Sequence, residues 1–252
     1  MPEKVIGIDF DGTLAPAEQY YRRAEQQFIG LLAQHGVEEF TRDIIQNKIS
    51  EAQKSVLPKT GFGAALQYHT FLTLGLNYVP DIINSEFVRG VQDITDTLRQ
   101  HPIEYYADVT DFVRDLKSIN VLPAIITKGE WHHQIDKVRH FNATFANDNI
   151  TLSRHFIMAQ KNDEEYWNVI ASMQVSPEDF LMIGDSEYSD IQPVRAIGAK
   201  AIHVKRPDQD AVRWQFERSA LGENIPTVNS LHEALPIVRN FSADQPLLHP
   251  CR

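Results

Sequence analysis

Lys4-Val5-Ile6-Gly7-Ile8-Asp9-Phe10-Asp11-Gly12-Thr13-Leu14 is the stretch on which the fold turns. Val5, Ile6 and Ile8 are apolar and β-prone, and the run is too short for a helix, so it reads as a buried strand. Two carboxylates stand at its C-terminal end. Side chains alternate along an extended segment, so Asp9 and Asp11 are expected on the same side. Gly12 allows a sharp change of direction, and Thr13 supplies a hydroxyl beside it. Like charges held this close repel, which raises one pKa unless a cation lies nearby. One carboxylate can then act as nucleophile or metal ligand and the other as proton shuttle. The plainer alternative is an Asp-rich turn that merely ends a strand.

Outward from this strand the chain changes character twice. From Ala15 to about His101 it reads as helices. Tyr20, Tyr21, Ala24, Phe28, Leu31 and Leu32 fall near helical spacing, with Gly36 as a stop, and the aromatic stripe Tyr20, Tyr21 and Phe28 reads as helical core. A second helix runs from Thr41 to Ser55, a Pro- and Gly-bearing loop spans Leu57–Gly63, and two more helices cover Ala64–Leu74 and Asn84–Leu98. From Asp108 strands and helices alternate: helix Val109–Ile119, strand Val121–Thr127, helix Trp131–Phe141, strand Phe156–Ala159 and helix Asp163–Met173. Strand Phe180–Asp185, helix Asp190–Ile197 and strand Ala201–Val204 follow. Alternation at this spacing predicts an α/β protein with a doubly wound, Rossmann-like parallel sheet covered by helices on both faces. The first strand belongs to that sheet. Residues 15–106 therefore read as an all-α cap domain inserted into a discontinuous core of 1–14 and 107–252.

Composition narrows the function. The chain has 252 residues, 42% of them hydrophobic and 23% charged, which is ordinary for a soluble globular protein. A net charge of −10 argues against nucleic acid or an anionic membrane as partner, because phosphate would be repelled. Met1-Pro2-Glu3-Lys4 runs straight into the strand, so no signal peptide is expected, and no apolar run reaches membrane-spanning length. The single cysteine, Cys251, cannot form an internal disulfide, so a reducing cytoplasm is the expected compartment. The sequons at Asn142, Asn149 and Asn240 are then coincidental, and a monomer or homodimer is expected. The C-terminal Asp244–Arg252, with Pro246 and Pro250, reads as a loose tail.

In open parallel sheets ligands bind beyond the carboxyl ends of the strands. There the first strand offers Asp9 and Asp11, and the second offers Thr127-Lys128-Gly129 ahead of a helix, a phosphate cradle of hydroxyl and backbone N–H groups. Lys161 follows the third strand. The fourth ends in Gly184-Asp185-Ser186, with Asp190 five positions beyond Asp185. Oxygen-only ligands with open positions suit Mg²⁺, which bridges readily to phosphate.

Taken together, Asp9-Phe10-Asp11-Gly12-Thr13-Leu14, Thr127, Lys161 and Gly184-Asp185-Ser186 through Asp190 resemble the four motifs of the haloacid dehalogenase superfamily. The resemblance covers Lys4–Leu14 and Asp108–Val204, while the cap matches in position and helical character. It implies a Mg²⁺-dependent phosphatase in which Asp9 is the nucleophile and forms an aspartyl-phosphate. Asp11 would protonate the leaving oxygen and then activate water. Thr127 and Lys161 would hold the phosphoryl group. Asp9, the Asp11 carbonyl and Asp185 would bind the metal, with Asp190 and Ser186 in support. Asn162-Asp163 after Lys161, Lys128 after Thr127 and Ser189 before Asp190 depart from the commoner pattern of Pro, Asn and Asn.

Other residues admit two readings. Lys59, in the Gly-bearing loop, would meet an anionic group of the substrate or stand in solvent. Gly61-Phe62-Gly63 lacks the third Gly and the preceding strand of a nucleotide-binding loop. Adjacent helical residues point apart, so His132 and His133 read as exposed residues at a helix start. A small phosphorylated metabolite is the expected substrate, since a closed cap excludes macromolecules. A phosphomutase or phosphotransferase, a phosphonatase using Lys59, and a non-catalytic phosphate-binding protein are the alternatives. A dehalogenase needs neither the second Asp nor a metal, so Asp11 argues against it.

Overall fold

The computed structural model describes residues 4–38, 40–79, 85–146, 152, 154–207 and 225–243. Among the described residues six parallel strands form one sheet: β1 (Lys4–Ile8), β2 (Val121–Lys128), β3 (Arg154–Met158), β4 (Phe180–Gly184), β5 (Lys200–Val204) and β6 (Thr227–Val228). Their order is β3-β2-β1-β4-β5-β6. β1 lies at the centre, with Ile8 level with Ile125 of β2 on one side and Ile183 of β4 on the other. The chain winds outward in one direction through β2 and β3, then returns across β1 to β4. The crevice where the winding reverses opens at the end of β1.

Alternation of side chains assigns the two faces of the sheet. Ile6, Ile8, Leu181 and Ile183 pack with apolar residues of α5 (Val109–Leu116), α6 (Trp131–Thr144) and α9 (Leu231–Ala243). Val5, Ala124, Ile126, Phe180 and Met182 pack with α7 (Asp163–Met173) and α8 (Gln192–Ala196) on the other. Gly7 falls on this second face. A β-carbon there would stand 2.6 Å from Ile126 Cδ1 and 2.9 Å from both the Phe180 ring and Met182 Sδ. The absent side chain is what lets three neighbours meet across the central strand.

The doubly wound α/β core follows the sequence expectation, with local corrections. β3 begins at Arg154, before the predicted Phe156. A π-helical turn, Glu187–Ile191, precedes α8, and Ser186 caps it by accepting a hydrogen bond from Ser189 N. Asp190 therefore lies inside the turn and is not a helix cap. β6 and α9 were not foreseen: β6 is two residues long, and α9 carries Pro236 within an otherwise apolar-periodic stretch.

Between β1 and α5 the described residues form four helices: α1 (Glu18–Gln34), α2 (Arg42–Thr60), α3 (Ala64–Tyr78) and α4 (Ser85–Arg99). They build an apolar cluster of their own, including Phe28, Leu32, Ile45, Phe71, Phe87 and Val91. Phe28 stacks on Phe71 at 4.2 Å between ring centroids and meets the edge of Phe87 at 6.4 Å. Tyr20 is not part of this cluster, and its ring instead meets that of His101 at 4.2 Å between centroids, tilted by 33°. The predicted loop at Leu57 is also displaced, because α2 continues through Pro58 to Thr60 and ends at Gly61, whose φ is 69°. Proline fixes φ at a helical value and forfeits one backbone hydrogen bond. Buried Ala52 and Val56 offset that loss by keeping the last turns packed. Among the described residues, no helix is long and apolar enough to cross a membrane. Asn149, Cys251 and the Asp244–Arg252 tail lie outside the described residues.

Candidate active site

Asp9 is the first residue beyond β1, and its N–H donates to Ile183 O of β4 at 2.9 Å, fixing it between two strand ends. Lys161 follows β3 and is only 4% exposed. Its ammonium donates to Asp9 and, at 2.6 Å, to Asp190 Oδ1. Asp185 follows β4 directly. One oxygen from each of Asp9, Asp185 and Asp190 lies within 4.8 Å of the others. Such a set of oxygen donors fits a hard divalent cation. Burial pushes the Asp9 carboxyl up to about 6, with Lys161 opposing and Asp190 and Asp11 adding to the rise. Lys161 is itself held above its ordinary range, because the two carboxylates outweigh its burial.

Why Asp190 reaches the cluster is decided at Gly184. A β-carbon on that glycine would stand 2.3 Å from Asp190 Cγ and 2.4 Å from its Cβ. The π-helical turn lays the Asp190 side chain against the bare backbone at the end of β4. Ser186 N donates to Asp190 Oδ2 at 3.1 Å, and the Tyr166 hydroxyl donates to Oδ1 at 3.4 Å. His203 of β5 approaches the Asp185 carbonyl at 3.0 Å through Nε2.

Asp11 stands in the turn after β1, which is closed by Leu14 N to Phe10 O at 2.9 Å and opened by Gly12 at φ 88°. It is half-buried and has a lysine of its own. Lys137, on α6 and 3% exposed, donates to Asp11 Oδ2 at 2.5 Å and to Oδ1 at 2.7 Å. Gln134, one turn earlier on α6, donates through Nε2 to Asp11 Oδ2 at 3.3 Å. It also accepts from the Thr127 hydroxyl at 3.0 Å. Burial would raise the Asp11 carboxyl, but Lys137 beside it holds it below the ordinary carboxylate value. Because strand geometry ends at Ile8, the two-residue spacing of Asp9 and Asp11 does not give them one shared partner.

Gln134 and Lys137 were not singled out from the sequence. The available sign was their spacing: three positions apart on the helix that opens after Thr127-Lys128-Gly129, they share a face. His133, expected in solvent, is half-buried, and its ring meets that of His101 edge-on at 5.6 Å. Burial first, and then Lys137, push its imidazole down to about 4. His132 is exposed as expected.

The remaining predicted residues lie around the crevice or apart from it. Gly129 adopts φ 137° between β2 and α6, and a β-carbon there would stand 2.9 Å from Gln134 Nε2. Lys128 donates to Ser189 Oγ at 2.5 Å and stands 4.0 Å from the centre of the Phe62 ring. Phe62 comes from the Gly61-Phe62-Gly63 link between α2 and α3. Two residues beyond Lys128, Glu130 accepts from Ala65 N at 2.6 Å, so the start of α3 is seated on the start of α6. Lys59 lies exposed in the last turn of α2 and not in the link, so Phe62 is the residue of this region that meets Lys128.

The arrangement puts a buried carboxylate, a buried ammonium and a cation-sized group of oxygens beside a second carboxylate held from the opposite side. The haloacid dehalogenase-like hydrolase family model matches residues 3–198. The glyceraldehyde 3-phosphate phosphatase of Pyrococcus furiosus is 23% identical over 205 residues, 80% of this chain and 80% of that protein. Among solved structures, a haloacid dehalogenase-like hydrolase from Xanthomonas campestris superposes with a TM-score of 0.75. It is 24% identical, and the match covers 96% of this chain and 93% of that one. A 2-haloacid dehalogenase from Pseudomonas syringae shares the fold at a TM-score of 0.60 and 14% identity, over 95% of this chain and 99% of that one. As the matched model runs from the central strand through α8, the chain belongs to the haloacid dehalogenase-like hydrolases and is an enzyme of the hydrolase class.

Proposed function

We propose that this hydrolase cleaves a phosphomonoester of a small metabolite, with Asp9 as nucleophile, Asp11 as general acid and base, and Mg²⁺ as cofactor. The observation that carries the reading is the partition of two neighbouring carboxylates between two lysines. Asp9 pairs with Lys161 in a buried cluster with Asp185 and Asp190, while Asp11 pairs with Lys137 on α6. One carboxylate is thus kept for the phosphorus and the other for the proton.

In the first half of the reaction Asp9 Oδ attacks phosphorus, the bond to the leaving oxygen breaks, and Asp11 gives that oxygen the proton taken from water in the preceding turnover, which it must hold against the charge of Lys137. In the second half a water gives its proton to Asp11 and attacks phosphorus, and the bond to Asp9 breaks. Lys161 holds Asp9 and a phosphoryl oxygen together. Lys128 and the Gly129 N–H bind the remaining phosphoryl oxygens at the start of α6, where the helix dipole favours an anion, and Thr127 joins them once its hydroxyl turns from Gln134 to a phosphoryl oxygen. Asp9, Asp185 and the Asp11 carbonyl would hold Mg²⁺, with Asp190 and Ser186 in support. The cation supplies charge neutralisation between the carboxylates and the incoming phosphate.

Residues 15–106 act as a cap on the core of 1–14 and 107–252, and contacts between the two include Phe62 on Lys128, Ala65 N on Glu130 and His101 on His133. Lys59 is the cap residue for an outlying anionic group of the substrate. A cap of this kind excludes bulk water and macromolecular substrates. The Pyrococcus furiosus relative supports a sugar-phosphate-sized ester, and a cytoplasmic metabolite is in keeping with it.

Release of inorganic phosphate from a panel of sugar phosphates, nucleotides and phosphoacids, with Mg²⁺ and again with EDTA, tests the reading. Metal-dependent release from one compound class is expected. Asp9→Asn should abolish turnover, and retained turnover would defeat the nucleophile assignment.

A further inference from the structure

We infer that Lys137 and Gln134 of α6 are positioning residues for the proton transfers of Asp11, a role that rests on the phosphatase reading above. Lys137 is buried to 3% exposure, yet it is spent on a half-buried carboxylate that solvent could have served. A buried ammonium needs a partner. Here the partner is the side chain assigned to the proton, and both its oxygens are engaged, at 2.5 and 2.7 Å.

Gln134 makes the grip asymmetric. Its Nε2 donates to Asp11 Oδ2, which therefore receives two donors, while Oδ1 receives one. A carboxylate is acceptor-only, so the Gln134 amide must turn its nitrogen to Asp11, and its oxygen is left to accept from Thr127. Oδ2 is thereby pinned. Oδ1 keeps the lone pair that takes and returns the proton. The same amide joins Thr127 to Asp11, so the hydroxyl that turns to the phosphoryl group and the carboxyl that protonates the leaving oxygen are held in register before the substrate enters. Positioning of this kind matters because a general acid acts only from hydrogen-bond distance of the atom it serves.

A misplaced acid penalises a poor leaving group and spares a good one, which separates this role from a merely structural one. The experiment compares kcat/KM of the wild type, Lys137→Met and Gln134→Leu on phenyl phosphate and p-nitrophenyl phosphate with Mg²⁺. The two esters fill similar space and differ in the basicity of the oxygen released. General acid–base catalysis contributes on the order of 10²–10⁴ in rate, so loss of about 10-fold or more is expected on phenyl phosphate. Less than about 3-fold is expected on p-nitrophenyl phosphate, whose leaving oxygen hardly needs the proton. Asp11→Asn should reproduce the pattern, and adding Lys137→Met to it should change nothing further. Gln134→Leu carries the comparison by itself if the lysine variant does not fold. Equal losses on both esters would overturn the inference and leave the phosphatase reading standing. A wild type inert towards both esters and the metabolite panel would overturn the two together.

Discussion

At Gly184 a single hydrogen atom decides whether Asp190 can join the site, because a β-carbon would stand 2.3 Å from its carboxyl carbon. Gly184→Ala is expected to cost about 1–3 kcal/mol of stability, the usual effect of overpacking. It should also lower the affinity for Mg²⁺, measured by titration calorimetry beside a denaturant curve. Unchanged metal affinity would separate Asp190 from the cation site. His133 offers a second test. Its folded pKa of about 4 lies below the ordinary histidine value of about 6.5, so between these the unfolded chain binds more protons. Its contribution to stability is complete above pH 6.5 and is lost as the pH falls towards 4. An NMR titration of the His133 ring should find its midpoint near 4, and one at or above 6.5 would sink the assignment of a buried neutral imidazole. Asp9, Lys161 and Asp185 were legible as residues because motif spacing names them. Lys137 was not: its three-residue spacing from Gln134 gives the two a shared face, but does not say that α6 turns that face inward.

Among the elements, a buried ion pair ties three segments to the turn after β1. Arg206, just beyond β5, donates to Asp108 Oδ2 at 2.6 Å and to Thr13 O at 2.6 Å, and it stacks on Tyr106 at 4.0 Å. Asp108 Oδ2 also accepts from Leu231 N at 2.7 Å, where α9 begins. Arg206→Met would strand a buried carboxylate and is expected to destabilise by ~3–5 kcal/mol. Pairing it with Asp108→Asn should recover part of that loss, and chemical denaturation of the three variants measures both. A double variant no more stable than Arg206→Met would mean that the charge pairing is not the source. At the link between α2 and α3, Phe62→Ala removes a ring that lies 4.0 Å from the Lys128 ammonium. Such contacts contribute about 0.5–2 kcal/mol. A rise in KM of roughly 3-fold or more with kcat little changed is expected, and an unaltered KM would exclude the link from substrate binding.

At the scale of the whole molecule, the described residues form two apolar clusters against the faces of the sheet and a third within the helices between β1 and α5. Separate clusters predict separable stability. Phe28→Ala, which removes the ring stacked on Phe71, is expected to cost ~3–5 kcal/mol. Hydrogen exchange should show that loss in α1–α4 while amides of β1, β2 and β4 keep their protection. Uniform loss across the chain would mean that insert and core unfold as one. The sequence by itself determined the parallel sheet, the run of helices after its first strand and the carboxylates at the end of β1. Those follow from periodicity and from residues set at strand ends, which are local properties of the chain. Only the tertiary structure decided that α2 would run through Pro58, that Phe62 and not Lys59 would meet Lys128, and that Lys137 would hold Asp11. Each of these depends on which face of one element meets another, and packing between segments distant in sequence sets that choice.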